Sequence, residues 1–216
     1  MYPLIIFDNF YNDPDSIVEI ANSVEYSPSE DGRWPGVRSK HLWEFDRDLF
    51  VYTGEKILHL FNEELPKYWE FEMQFQKTSP FGDNQYHPKN KGWVHPDAGV
   101  TYFGGVIFLN KNPDKDTGLS VYKEKSGYSV QSQKEMEIKE SYYRGEQVSD
   151  VEYIEAYEKV HSQYEETVSI RNVYNRMVLF NPVTLHGVQT FGKTQDRLTL
   201  AFFCTEQLKF KHPLYR

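Results

Sequence analysis

Three side chains in this sequence have the types and spacing of a metal site. His95 and Asp97 stand two apart in Trp93-Val94-His95-Pro96-Asp97. In an extended segment residues i and i+2 point to one face, so an imidazole and a carboxylate converge. Far downstream, Thr184-Leu185-His186-Gly187-Val188 supplies a second imidazole at the start of a short strand. Two imidazoles and one carboxylate on one face of an ion leave three coordination positions open, the donor set that suits a non-haem Fe(II) centre. Arg197 and Thr199 follow in the next extended run. If 186–191 and 196–204 form a hairpin, position 186 faces 201 and 190 faces 197. Arg197 and Thr199 then share the face of His186, with Arg197 about four residues (~13 Å) along the strand. A buried guanidinium needs an anionic partner. A carboxylate held bidentately, with the Thr199 hydroxyl beside it, satisfies it, and a dicarboxylate whose other end chelates the metal fits that geometry.

His-x-Asp by itself is a weak signal, and His-Pro-Asp-Ala-Gly also reads as a surface turn. The order, spacing and strand context of the four residues give it weight. Pro96 cannot donate to a sheet ladder, which places His95 near a strand end. The remaining histidines lack such a setting, and His161 belongs to a helix face. Cys204 has no base or second cysteine near it and reads as a strand residue. Gly104-Gly105 lacks the pattern of a phosphate loop, and Gly105 marks a bulge in a strand.

The elements that must position these residues are mainly β. The 216 residues hold 15 Phe, 16 Tyr and 4 Trp, a composition that favours strands over long helices. Strands are expected at Leu4 to Phe7, at 69–76, where Trp69, Phe71, Met73 and Phe75 alternate with polar residues, and at about 92–95, 101–110, 118–123, 176–181, 186–191 and 196–205. Such short strands suggest a sandwich or barrel. A helix opens at Asp13-Pro14 with Ile17, Ile20, Ala21 and Val24 on one face, and a second spans about 47–64. Residues 124–172 read as a polar, Tyr-rich insertion. It carries one helix, capped by Ser149 with Glu152, with Val151, Ile154, Tyr157 and Val160 on its apolar side. One domain over 1–216 is expected: N-terminal strand and helices in 1–66, a β core in 67–123 and 173–205, and the insertion between its halves.

The net charge of −8 makes nucleic acid a poor partner, because phosphate binding rests on clustered Lys and Arg. The single cysteine forbids an internal disulfide. No apolar run approaches the ~20 residues of a membrane span, and the N-terminus lacks the basic region of a signal peptide. The expected setting is the cytoplasm. Nothing in the sequence specifies the oligomeric state.

His95-x-Asp97, His186 and Arg197-x-Thr199 on short strands resemble the 2-oxoglutarate- and Fe(II)-dependent oxygenases, in particular their prolyl-4-hydroxylase-like branch. Tyr86, nine residues ahead of His95, stands where members of that branch often carry a 2-oxoglutarate-contacting Tyr. Val106 to Asn110 is similar to their strand ending in Tyr-Leu-Asn. Thr117 to Tyr122 is similar to a degenerate Gly-Gly-Glu-Thr-x-Phe strand, and Asn175 to Phe180 to the strand before the distal His. The resemblance covers roughly 68–123 and 173–205.

The resemblance implies a double-stranded β-helix (jelly roll, cupin-like) with N-terminal helices and a helical insertion. It implies Fe(II) held by His95, Asp97 and His186, and 2-oxoglutarate as cosubstrate at Arg197, Thr199 and Tyr86. O₂ would oxidise a small-molecule, amino-acid or peptide substrate, with release of succinate and CO₂. The acidic ligand is present, which favours hydroxylation over halogenation. The insertion would act as a lid at the metal end, with Tyr142, Tyr143 and Arg144 towards substrate. Two other classes remain open on the sequence: a cupin-type metalloenzyme that does not use 2-oxoglutarate, and a non-catalytic binding module on the same fold.

Overall fold

Caps and alternation, more than long apolar runs, set the elements of the chain. The computed structural model describes residues 4–97, 102–126 and 132–207. It opens with β1 (Ile5–Phe7) and α1 (Pro14–Ser23). The Asp13 carboxylate accepts the Ser16 amide, and Pro14 takes a first-turn place where no N–H is needed. β2 (Tyr26–Pro28) and β3 (Val37–Ser39) flank a turn-rich loop. α2 (Leu42–Phe45) leads into α3 (Arg47–Leu58), which Asp46 caps through the Leu49 amide at 2.9 Å. α3 stops short of the expected 64. The Leu60 and Phe61 amides turn back to the Ile57 and Leu58 carbonyls, a tightened last turn that ends the helix.

Then follow β4 (Trp69–Thr78), β5 (Phe103–Phe108), β6 (Leu119–Glu124), α4 (Gln133–Tyr143), α5 (Asp150–His161), β7 (Tyr164–Ile170), β8 (Met177–Phe180), β9 (His186–Val188) and β10 (Arg197–Gln207). Residue 101, the first of the strand expected over 101–110, lies outside the described residues. The described strands form two antiparallel sheets. The larger has the order β1-β8-β5-β10-β4-β3-β2, the smaller β7-β6-β9. No closed barrel forms among them. The run at 92–95 contributes a single bridge, His95 to His186, to the edge of the smaller sheet.

Alternation assigns the two faces of the large sheet. Phe71, Met73 and Phe75 of β4 and Leu198, Leu200 and Phe202 of β10 join Ala21, Leu42, Ile57 and Leu58 in the main core beneath the N-terminal helices. The opposite face looks at the small sheet. Phe108, Leu119, Ile170, Val178 and Phe180 fill one part of that gap. β1 is a half-exposed edge strand, because only β8 pairs with it.

The structure departs from expectation at β9 and β10 and in the insertion. β9 and β10 are not a hairpin: β9 pairs with β6, and β10 lies between β4 and β5 in the other sheet, with Ala201 opposite Gln74 and Val106. A strand that switches sheets is what a two-sheet roll requires. The insertion is also shorter than 124–172, because its last part is β7, which pairs with β6 from Glu124–Tyr164 to Leu119–Ile170. What stands between β6 and β7 is a pair of helices, with residues 127–131 outside the described residues. In α5 the Ser149 hydroxyl accepts the Glu152 amide as expected. The buried stripe, however, is Tyr153, Ala156, Tyr157 and Val160, while Val151 is 68% exposed. Tyr153 and Tyr157 meet the Trp93 ring edge-on, and this contact sets the rotation of the helix. No helix among the described residues is long and apolar enough to cross a membrane.

Candidate metal centre and its cavity

His95 and His186 meet across the bridge between the 93–95 segment and β9. Each amide donates to the other's carbonyl at 3.0 Å, so both side chains leave the same side of the ladder. Their rings stand 4.5 Å apart between centroids. Asp97 reaches the same point: one carboxylate oxygen lies 3.7 Å from His95 Nε2 and the other 3.6 Å from His186 Nε2. One ligand atom from each of the three residues falls within 4.8 Å of the other two, a spacing that one divalent ion spans.

The other ring nitrogens fix the tautomers. His95 Nδ1 lies 2.8 Å from the Trp93 carbonyl, and His186 Nδ1 lies 2.9 Å from that of Thr184. A carbonyl only accepts, so both Nδ1 atoms donate, and in the neutral rings both Nε2 lone pairs face Asp97. Burial pushes the His186 pKa down to about 4. The charge of His95 acts in the same sense, and Asp97 opposes both. His186 is therefore neutral at physiological pH, the state a metal ligand needs. Accessibility falls from His95 (48% exposed) through Asp97 (16%) to His186 (7%), so the site opens on the His95 side.

Small residues make room for Asp97. A Cβ built on Gly104 would sit 2.9 Å from the Phe203 ring and 3.4 Å from an Asp97 oxygen. Gly104-Gly105 thus belongs to β5 and permits close packing, Gly104 under the Asp97 carboxylate and Gly105 against Phe202.

The cluster lies in the wall of a cavity of about 420 Å³ between the sheets. Arg197 lines the same cavity from the first position of β10. Its Nε donates to the Thr117 carbonyl at 2.8 Å, its plane approaches the Phe108 ring, and its buried Nη2 has no hydrogen-bond partner. Burial lowers its pKa to about 10. Thr199 is two residues on and on the same face, fully buried, and its Oγ1 also lacks a partner. An orphaned guanidinium nitrogen and an orphaned hydroxyl on one face fit the far carboxylate of a bound dicarboxylate, because each is costly without an acceptor or donor.

Tyr86 is placed elsewhere. It is 52% exposed, its hydroxyl donates to Asp116 at 2.9 Å, and it does not line the cavity. The segment between it and His95 is not a strand but a turn of 3₁₀ helix at Pro88–Asn90, so counting back nine residues does not lead into the site. From the insertion, Lys139 and Tyr143 of α4 line the cavity, whereas Arg144 turns outward to Glu146 and the Asp31 carbonyl.

Sequence reasoning missed Trp34 and Arg38, which border the cavity with Glu72, Gln76 and Thr78 of β4. The polar side of β4 is divided: Gln76 and Thr78 are buried at the cavity wall, while Glu70 and Glu72 stay exposed. It also missed α4, although Ser132-x-x-Glu135 is a capping box in which the Ser132 amide donates to the Glu135 carboxylate at 2.9 Å.

Several solved structures share this architecture. HygX from Streptomyces hygroscopicus, with nickel, 2-oxoglutarate and hygromycin B bound, is 11% identical; the match covers 99% of this chain and 89% of that one with a TM-score of 0.60. A prolyl hydroxylase from Trichoplax adhaerens, in complex with a hypoxia-inducible-factor peptide fragment, is 11% identical over 94% of this chain and 83% of that one, TM-score 0.56. A 2OG-Fe(II) oxygenase family oxidoreductase from Burkholderia pseudomallei is 12% identical over 94% and 84%, TM-score 0.53. The chain thus has the jelly-roll fold of these oxygenases. No curated protein sequence matches it. Over residues 1–203 it matches the family described as a family of unknown function, DUF6445, and it belongs to that family.

Proposed function

We propose that this protein is an Fe(II)- and 2-oxoglutarate-dependent dioxygenase that hydroxylates a small-molecule, amino-acid or peptide substrate, with release of succinate and CO₂. The observation that carries the reading is the convergence of His95, Asp97 and His186 in one cavity with a buried Arg197 whose Nη2 has no partner. Similarity of fold to structures that hold nickel with 2-oxoglutarate, or iron, supports it, as does that to a structure that holds a peptide.

In this reading His95, Asp97 and His186 hold the iron, and the iron with its cosubstrate supplies the oxidising power. The chain's own residues place the reactants. The Trp93 and Thr184 carbonyls keep both Nε2 atoms aimed at the metal. Arg197 takes the far carboxylate of 2-oxoglutarate through Nη2, with Thr199 Oγ1 as second donor. Phe180, whose ring centroid lies 4.1 Å from that of His186, and Phe203 keep one flank of the site apolar.

The test is succinate formation from 2-oxoglutarate by the purified chain under air with Fe(II), with Asp97→Ala as control. Succinate release above that of the control supports the reading. No binding of 2-oxoglutarate by the metal-loaded chain overturns it.

A further inference from the structure

The cavity carries charge that the metal and its cosubstrate do not consume. Arg33, Arg38, Lys139 and Arg197 line it, against Glu72 and Asp97. Arg33 pairs with Asp31 at 2.9 Å on the outside, which leaves three cations and two carboxylates. A divalent ion and a dianionic cosubstrate cancel each other, so one positive charge remains in the wall of a protein whose net charge is −8. The surplus sits across the large sheet from β10. Arg38 pairs with Gln76 on β4, and Gln76 with Thr199 on β10, two strand spacings or about 10 Å away.

Arg38 is built as a receptor. The Trp34 ring stacks on its guanidinium at 4.5 Å, Nη2 makes one long bond of 3.4 Å to Gln76 Oε1, and the buried Nε has no partner. Desolvation pulls its pKa down to about 10, with the charges of Asp97, Glu72 and Asp31 offsetting only part. Lys139 of α4 lines the same cavity, and burial lowers its pKa too. A buried guanidinium edge with a free donor is poised for a planar, bidentate oxyanion. One surplus charge matches a carboxylate. It does not match a phosphate monoester, which carries about −1.5 to −2.

We propose that the substrate is a small molecule carrying one free carboxylate, held on the Nε edge of Arg38 with Lys139 beside it. The proposal rests on the oxygenase reading only for what happens to that molecule; the subsite itself stands on Arg38. Trp34, Tyr143 and Phe203 would bound the substrate's apolar part. Arg38 and Lys139 stand on β3 and α4, while the three metal-site residues stand on the 93–97 segment and β9, so selectivity is separable from chemistry.

The test titrates Zn(II)-loaded protein, saturated with 2-oxoglutarate, with a set of N-acetyl amino acids, the matching neutral amides, and N-acetyl-O-phosphoserine amide. The expected result is at least one acid that binds tenfold or more tighter than its amide and than the phosphorylated amide. Arg38→Gln should erase that preference and Lys139→Gln reduce it about threefold, while 2-oxoglutarate affinity stays within twofold in both. The proposal is overturned by equal binding of acids and amides throughout, by a preference that survives Arg38→Gln, by tighter binding of the phosphorylated amide, or by a loss of 2-oxoglutarate affinity in Arg38→Gln that puts Arg38 on the cosubstrate. A protein that binds no 2-oxoglutarate yet keeps an Arg38-dependent preference for acids overturns the oxygenase reading and leaves the carboxylate subsite standing.

Discussion

His95 and His186, 91 residues apart in the sequence, exchange both backbone hydrogen bonds across one antiparallel bridge, each at 3.0 Å. Each also turns its Nδ1 to the carbonyl two residues before it. The bridge sets the spacing of the two rings and the carbonyls set their tautomers, so both Nε2 atoms are arranged towards Asp97 in the protein alone. Asp97 completes the set from beyond Pro96, where the ladder has ended.

This preorganisation makes Asp97 the cleanest of the three proposed ligands to remove. Asp97→Ala leaves the bridge and both imidazoles in place but removes the only charged donor of the three. Affinity for Fe(II) or Mn(II), followed by anaerobic equilibrium dialysis, should fall by more than the ~10–100-fold typical of losing an outer-shell partner. Binding unchanged within threefold would mean that the ion sits elsewhere.

Arg197 and Thr199 should affect the cosubstrate and spare the metal. Arg197→Ala removes a charge-assisted partner worth ~1.5–3 kcal/mol, so 2-oxoglutarate should bind ~10–100-fold more weakly. Thr199→Val should cost less, about fivefold, as one neutral hydrogen bond does. Calorimetry of both variants with Mn(II) and with 2-oxoglutarate separates the two effects. Equal losses for metal and cosubstrate would remove Arg197 from the assigned role.

The helical insertion is tied to the segment that carries His95 and Asp97 through Trp93. Its indole N–H donates to the Tyr153 hydroxyl at 2.8 Å in a buried setting, two residues before His95. Tyr153→Phe keeps the ring packing but leaves that donor unpaired, at a cost of ~1–3 kcal/mol. Urea unfolding should register a lower midpoint with an unchanged slope. An unchanged midpoint would show that α5 only rests on the surface of the fold.

Acid stability carries the signature of a second buried imidazole. His161 stacks on Tyr157 at 3.8 Å, and its Nε2 is buried without a partner. Burial lowers its pKa from 6.5 to about 4, with Lys91 acting in the same sense and a hydrogen bond with the Gly92 backbone opposing. Between pH 6.5 and 4 the unfolded chain binds this proton and the folded chain does not. Stability is therefore full above pH 6.5 and declines as the pH falls towards 4, by up to about 3 kcal/mol. His161→Phe should flatten that decline in the metal-free protein, read as the difference between the two unfolding curves from pH 7 to 4.5. Parallel curves would mean that His161 takes up its proton as freely folded as unfolded.

The sequence by itself determined what short-range chemistry determines. Asp13-Pro14 and Ser149 cap helices because a side-chain oxygen reaches an amide three residues on. Trp69 to Gln76 is a strand because its period is two. His-x-Asp, His186 and Arg197-x-Thr199 declared their donor types without any contact being known. What only the tertiary structure decided is where faces point and which strand lies beside which. A hairpin between 186 and 204 satisfies the alternation of both strands, but β9 and β10 belong to different sheets, so Arg197 reaches the cavity from the opposite wall and not along a ladder from His186. Gln76 and Thr78 of β4 look identical to a solvent face until the walls of the cavity fold against them. Arg38 has no motif at all: its meaning comes from an unpaired Nε and from the charges around it, and burial and long-range charge are properties of the assembled chain.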